Sequence, residues 1–155
     1  MKIAEPDKEL RFTRSGQAVH FCIAGAVLVS VGVTLVATGI YREINPGLPS
    51  PWWAVPCFVA AAGMLRLAMR LAKHAYILLT PMGLEVFPFF KPAEKMQVVM
   101  WSEIKGADAD AAGKWLTLHF NDEKTAGMHL TMAPIRPSLR GLLVRAVKGR
   151  VGEKS

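Results

Sequence analysis

Formal charge is missing from one long stretch of this chain. The twenty-two residues from Val19 to Ile40 (VHFCIAGAVLVSVGVTLVATGI) contain no Asp, Glu, Lys or Arg. At about 1.5 Å of rise per residue, a helix of that length crosses a hydrocarbon core of about 30 Å. Cysteine is scarce, with two residues in the whole chain, and neither has a His or Cys neighbour at ligand spacing, so both read as small packing residues and not as a metal site. A Gly-rich phosphate loop and a nucleophile elbow are absent, which removes the sequence signatures of nucleotide binding and of serine hydrolysis. No constellation of catalytic residues stands out, and the chain reads as a non-enzyme without a cofactor.

A cleavable secretory signal is the first alternative for the apolar run, because Lys2, Lys8, Arg11 and Arg14 precede it. The run is longer than a signal core and ends in Tyr41-Arg42-Glu43, not at a small-residue cleavage site. A retained anchor is expected. A second apolar stretch starts at Trp52 and stays uncharged to Leu65, then continues with Arg66, Arg70 and Lys73 on one helical face. Carried on to about Leu71 it spans as well, with those cations snorkelling towards the headgroups. Trp52, Trp53 and Tyr41 fit an interfacial aromatic belt.

Between the two stretches, Arg42 to Pro51 (REINPGLPSP) reads as a short turn. Cations number four before the first span, one between the spans and three at the end of the second. The positive-inside rule therefore puts both termini in the cytoplasm. The expected layout is a cytoplasmic segment 1–18, transmembrane helix 19–41, a periplasmic turn 42–51, transmembrane helix 52–72, a cytoplasmic domain 75–150 and a tail 151–155. Cys22 and Cys57 then fall in opposite leaflets, too far apart for a disulfide.

Small residues recur on the first span. Gly25, Gly32 and Gly39 repeat every seven residues, and Ala26, Ser30, Thr34 and Thr38 every four. Such faces let another helix approach closely. The occupant is either the chain's own second helix, through Ala54, Cys57 and Ala61, or another copy or a larger membrane partner.

After Lys73 the charges return and the period shortens. Ala75–Thr80, Leu84–Phe87, Met96–Trp101, Lys114–Phe120 and Met128–Met132 read as strands of an antiparallel meander. Leu116, Leu118 and Phe120 are expected on one face, and Met128, Leu130 and Met132 inward. Asp108 and Asp110 read as an acidic hairpin loop, since the ligand array of a calcium loop is missing. A helix follows, with a stripe of Leu139, Leu142, Leu143, Ala146 and Val147, ending at Gly149 with a frayed tail from Arg150. His119 and His129 would face each other across the last hairpin if its turn centres on Lys124, but no third metal ligand is evident.

The stretches Ile77–Val86 (ILLTPMGLEV) and Val99–Ile104 (VMWSEI), with this order of hairpin, strands and closing helix, resemble bacterial pleckstrin-homology-like domains tethered to the membrane by helical hairpins. The resemblance implies an α+β membrane protein of the bacterial inner membrane, with a transmembrane hairpin followed by a bent antiparallel β-sandwich that the C-terminal helix closes. Eukaryotic members of that fold often read phosphoinositides through basic residues of the first hairpin. Tyr76–Phe90 contains no Lys or Arg, so no phosphoinositide is expected.

The excess charge of +7 sits beside the spans, in Arg11, Arg14, Arg66, Arg70 and Lys73, where it faces the anionic leaflet. Basic stretches without interleaved aromatics do not suit nucleic acid. Phe87, Phe89 and Phe90 flank Pro88, cannot all face one side of a strand, and are candidate contact aromatics. The sequence thus points to a membrane-anchored binding or scaffolding module that contacts another membrane protein or itself. The alternatives are an immunity or accessory protein acting on a membrane toxin or envelope complex through its spans, and, less favoured, a small membrane-bound enzyme.

Overall fold

The computed structural model describes residues 9–152. The protein is a mixed α+β chain that divides into two units, Gln17–Leu71 and the pair of segments Met1–Gly16 and Ala72–Ser155. Its elements run β1 (Leu10–Thr13), α1 (Ser15–Ile40), α2 (Ala54–Lys73), β2 (Ala75–Leu79), β3 (Gly83–Val86), β4 (Gln97–Met100), β5 (Gly106–Ala109), β6 (Trp115–His119), β7 (Gly127–Thr131) and α3 (Pro137–Gly152). Short 3-10 turns follow α1 and β4 and precede α2.

In the helical unit, two segments are long and apolar enough to cross a membrane, Ser15–Glu43 and Pro51–Lys73. They form an antiparallel pair with a seam of small residues. Ala18, Gly25 and Gly32 are buried on α1 and Ala54, Ala61 and Ala68 on α2, both at a spacing of seven. A seven-residue repeat keeps one seam in register along two helices. The closeness at Gly32 is measurable: a Cβ there would lie 2.9 Å from the Phe58 ring, and one at Gly25 would meet Leu65 at 3.5 Å.

In the β unit, all pairings are antiparallel, in the orders β1-β2-β3-β4 and β5-β6-β7. One core joins both sheets and α3: Ile77, Leu79, Leu84, Leu116, Leu118, Met132, Ile135, Leu143 and Val147 are fully enclosed. Burying side chains of this size stabilises by roughly 1.5–3 kcal/mol each before the entropy of ordering is counted.

Several expectations differ from the structure. Leu10–Thr13, expected in an N-terminal segment outside the domain, is a strand of its first sheet. Phe12 is buried and lies opposite Ile77. Gly106–Ala109 is a strand, and the acidic turn comes after it, where Asp110 Oδ1 accepts the backbone N–H groups of Lys114 (2.7 Å) and Trp115 (2.9 Å). Phe120 and Leu139 are exposed, because β6 ends at His119 and the buried face of α3 is centred on Leu143, Ala146, Val147 and Val151. The helix does not stop at Gly149. Arg150 lies over the Trp101 ring at 5.5 Å and donates to the Thr80 carbonyl, while Trp101 Nε1 donates to the same oxygen at 2.8 Å. Those contacts hold the last turn of α3 on the domain.

Candidate functional site

The first candidate site is α1. Of its predicted faces, Gly25 and Gly32 are buried and Gly39 lies beside Pro51, where an added Cβ would come within 2.7 Å of the ring. Ala26, Ser30 and Thr34 are exposed and Thr38 is half-buried. The three hydroxyls are not free donors. Ser30, Thr34 and Thr38 each bond the carbonyl four residues earlier, at 2.9 Å. Backbone bonding of this kind satisfies a hydroxyl inside its own helix, so the ridge offers shape to a neighbouring helix more than hydrogen bonds.

The second candidate is a cleft of about 360 Å³ in the β unit, lined by residues that include Arg14, Tyr76, Lys95, Gln97, Trp115 and His129. Arg14 sits at the end of β1 and is half-buried, its guanidinium 4.1 Å from the centroid of the Tyr76 ring and 6.0 Å from that of Phe89. Its Nη2 also donates to the Phe87 carbonyl at 3.4 Å. Burial pushes its pKa down, and no Asp or Glu among the described residues pairs with it. Burial likewise pushes the Tyr76 phenol up, partly offset by the Arg14 charge. The Tyr76 hydroxyl donates to the Thr131 carbonyl at 2.9 Å.

One wall of the cleft is the free edge of β7. Phe120 N–H donates to the Ala126 carbonyl (2.9 Å) and Met132 N–H to the Lys114 carbonyl (2.6 Å). Alternation along an antiparallel ladder then makes Met128 and Leu130 the residues bonded to β6. The N–H and C=O groups of Gly127, His129 and Thr131 point away from β6, as the Tyr76 bond to Thr131 shows directly. At the opposite edge of the same sheet, β5 is packed by α3.

The register also corrects the histidine pair. His129 lies opposite Thr117 and bonds its hydroxyl at 2.9 Å, whereas His119 lies opposite Gly127 and bonds Asp108 at 3.1 Å. The hairpin turn is one residue from the centre that facing histidines need. Asp108 also accepts from Lys124 Nζ at 2.8 Å, and that bond, with the lysine charge, holds its carboxyl below the usual carboxylate range. No group of His, Cys, Asp and Glu able to hold a metal occurs among the described residues.

Of the other predicted contact residues, Phe90 is 77% exposed and meets Phe89 edge to face at 4.8 Å, while Phe87 and Phe89 are half-buried. Arg66, Arg70 and Lys73 are exposed, and Arg11 donates to the Lys73 carbonyl at the end of α2. Sequence reasoning picked out Arg14 for its charge but missed Tyr76, Lys95, Gln97, Trp115 and the β7 edge. They come from separate elements, and only the strand register brings them together.

Family models, curated proteins and solved structures give no match to this chain.

Proposed function

We propose that this protein is a membrane-anchored binding module. Its helical hairpin crosses the bacterial inner membrane, and its β unit, of pleckstrin-homology-like kind, contacts another membrane protein from the cytoplasmic side. The observation that carries this reading is the place of the hairpin in the chain. It is inserted between β1 and β2, which are paired neighbours with Thr13 opposite Ala75. Two apolar helices that leave one strand and return to the next must begin and end on one side of a bilayer. Arg11, Arg14, Arg66, Arg70 and Lys73 near those ends favour the cytoplasmic side by the positive-inside rule. Reporter fusions test it. A cytoplasmic reporter at Ser155 and a periplasmic reporter at Pro49 should be active; a periplasmic signal at Ser155 overturns the orientation.

A second reading draws on the exposed Ala26, Ser30 and Thr34 ridge. In it the spans themselves meet a membrane toxin or an envelope complex, and the protein acts as an immunity or accessory factor. A ridge of small residues permits such close approach.

A further inference from the structure

The cleft beside β7 combines a strand edge with positive charge, and among the described residues no further strand pairs the edge and no carboxylate meets Arg14. Along one wall run main-chain groups of His129 that point away from their own sheet, and the same edge continues past the cleft lining to Gly127. Around it stand Arg14, Lys95 and His129, with no carboxylate among the lining residues. We propose that this cleft takes an extended acidic segment of a partner protein, which adds as a strand along β7 through the N–H and C=O of His129 and places a carboxylate on Arg14. This rests on the reading of the β unit as a protein-binding module, and it names the partner's chemistry.

Strand addition needs an edge that is unpaired and not blunted. Natural edges are protected by Pro, by Lys, by bulges or by a covering helix. The strand Gly127–Thr131 (GMHLT) has neither Pro nor Lys, its ladder with β6 runs without a register shift, and α3 lies at the far edge of the sheet on β5. Among the described residues, Tyr76 closes the edge at Thr131, by bonding its carbonyl. The open stretch is thus Gly127 to His129, with the Thr131 N–H at its limit. In strand addition, main-chain bonds give affinity and the pockets beside the edge give selectivity.

Charge decides between an acidic and a basic segment. Arg14 is half-buried against Tyr76 and Phe89 and lacks an acidic partner among the described residues. One Nη2 hydrogen of Arg14 donates to the Phe87 carbonyl, and the remaining N–H donors of the planar guanidinium meet no carboxylate among the described residues, which leaves them to a carboxylate from outside. Lys95 adds a second positive charge, and Trp115, half exposed, supplies an apolar surface for a neighbouring side chain.

The test uses the full chain in detergent micelles and a fluorescein-labelled eight-residue peptide of alternating valine and aspartate. It is compared with its lysine-for-aspartate counterpart and with two versions N-methylated at alternate amides, one in each phase. The aspartate peptide should bind at least about tenfold more tightly than the lysine peptide, and Arg14→Gln should remove about that factor, the size of one charge-assisted hydrogen bond. N-methylation should abolish binding in one phase only. Because Arg14→Gln also disturbs packing on Tyr76, hydrogen exchange of the unaltered protein gives an independent measure: the peptide should slow exchange at Gly127 and His129. Equal affinity for both peptides, or protection confined to other strands, overturns the proposal. If short-chain phosphatidylglycerol shifts the Arg14 and Lys95 signals while the aspartate peptide leaves them unmoved, the cleft holds a lipid headgroup and the proposal falls. Photo-cross-linking from Phe90, which is outside the cleft lining, separates this failure from a wider one. Adducts there with a membrane protein, without peptide binding at β7, overturn the acidic strand alone; no adducts and no peptide binding overturn both readings.

Discussion

Thr13 lies opposite Ala75 in the first sheet, and the whole apolar hairpin is threaded between them. The β unit is therefore discontinuous in sequence, and β1 can join β2 only once the helices have turned the chain back. Arg11 strengthens that closure by donating to the Lys73 carbonyl, one of the groups a helix C-terminus leaves without an internal partner.

If β1 is integral to the domain, its buried aromatic must matter to residues far away in sequence. Phe12 is 3% exposed and belongs to the common core. Phe12→Ala should destabilise the β unit by about 3–5 kcal/mol. Pulse proteolysis of the detergent-solubilised protein, following cleavage after residue 75, would measure it. A change within about 0.5 kcal/mol of the parent, the range of ordinary surface substitutions, would show that β1 is dispensable.

The difficulty of seeing β1 in the sequence has a physical cause. A strand of four residues shows only two inward positions, here Leu10 and Phe12, and charged neighbours disguise them. The strand β5 is hidden in the same way, since Ala107 is its one buried residue and Asp108 imitates a loop. By contrast, the hairpin helices follow from composition alone, and β6 and β7 from strict alternation. The cleft was not legible, because its walls depend on which residues face which across β6 and β7, and a turn displaced by one residue moves every partner.

The two small-residue faces of α1 should respond differently to bulk. Gly32 has the Phe58 ring against it, whereas Thr34 is exposed. Gly32→Ile should destabilise the helical hairpin by about 1–3 kcal/mol through overpacking. Thr34→Ile should leave it unchanged, and should reduce recovery of a partner only if the spans do the binding. Thermal unfolding in detergent, with co-purification from cross-linked membranes alongside, reads both effects. Equal destabilisation by the two variants would contradict the assignment of the buried face.

At the other end of the chain, Arg150 and Trp101 share the Thr80 carbonyl as acceptor. Arg150→Met keeps the side-chain stem but removes the hydrogen bond and the cation over the indole. A loss of about 1–3 kcal/mol is expected, from one charged hydrogen bond and one cation–π contact. Indole fluorescence will report it only in part, because the chain has four tryptophans. Hydrogen exchange in the last turn of α3 is the sharper measure. Unchanged protection at Val151 would mean that apolar packing alone holds the helix end.

The chain has two tyrosines, and the cleft perturbs Tyr76. Burial raises its pKa above the ordinary 10.0, and the Arg14 charge pulls it partly back. A folded-state pKa above the unfolded one means that the phenol contributes stability that is complete below about pH 10. The contribution is lost as pH rises through the folded value. Arg14→Gln removes the offsetting charge, so the Tyr76 phenolate should appear at still higher pH. Spectrophotometric titration of the phenolate band, with Tyr76→Phe to identify its contribution, measures the order. If Tyr76 ionises earlier in the Arg14→Gln protein than in the parent, the guanidinium does not act on the phenol from its place over the ring.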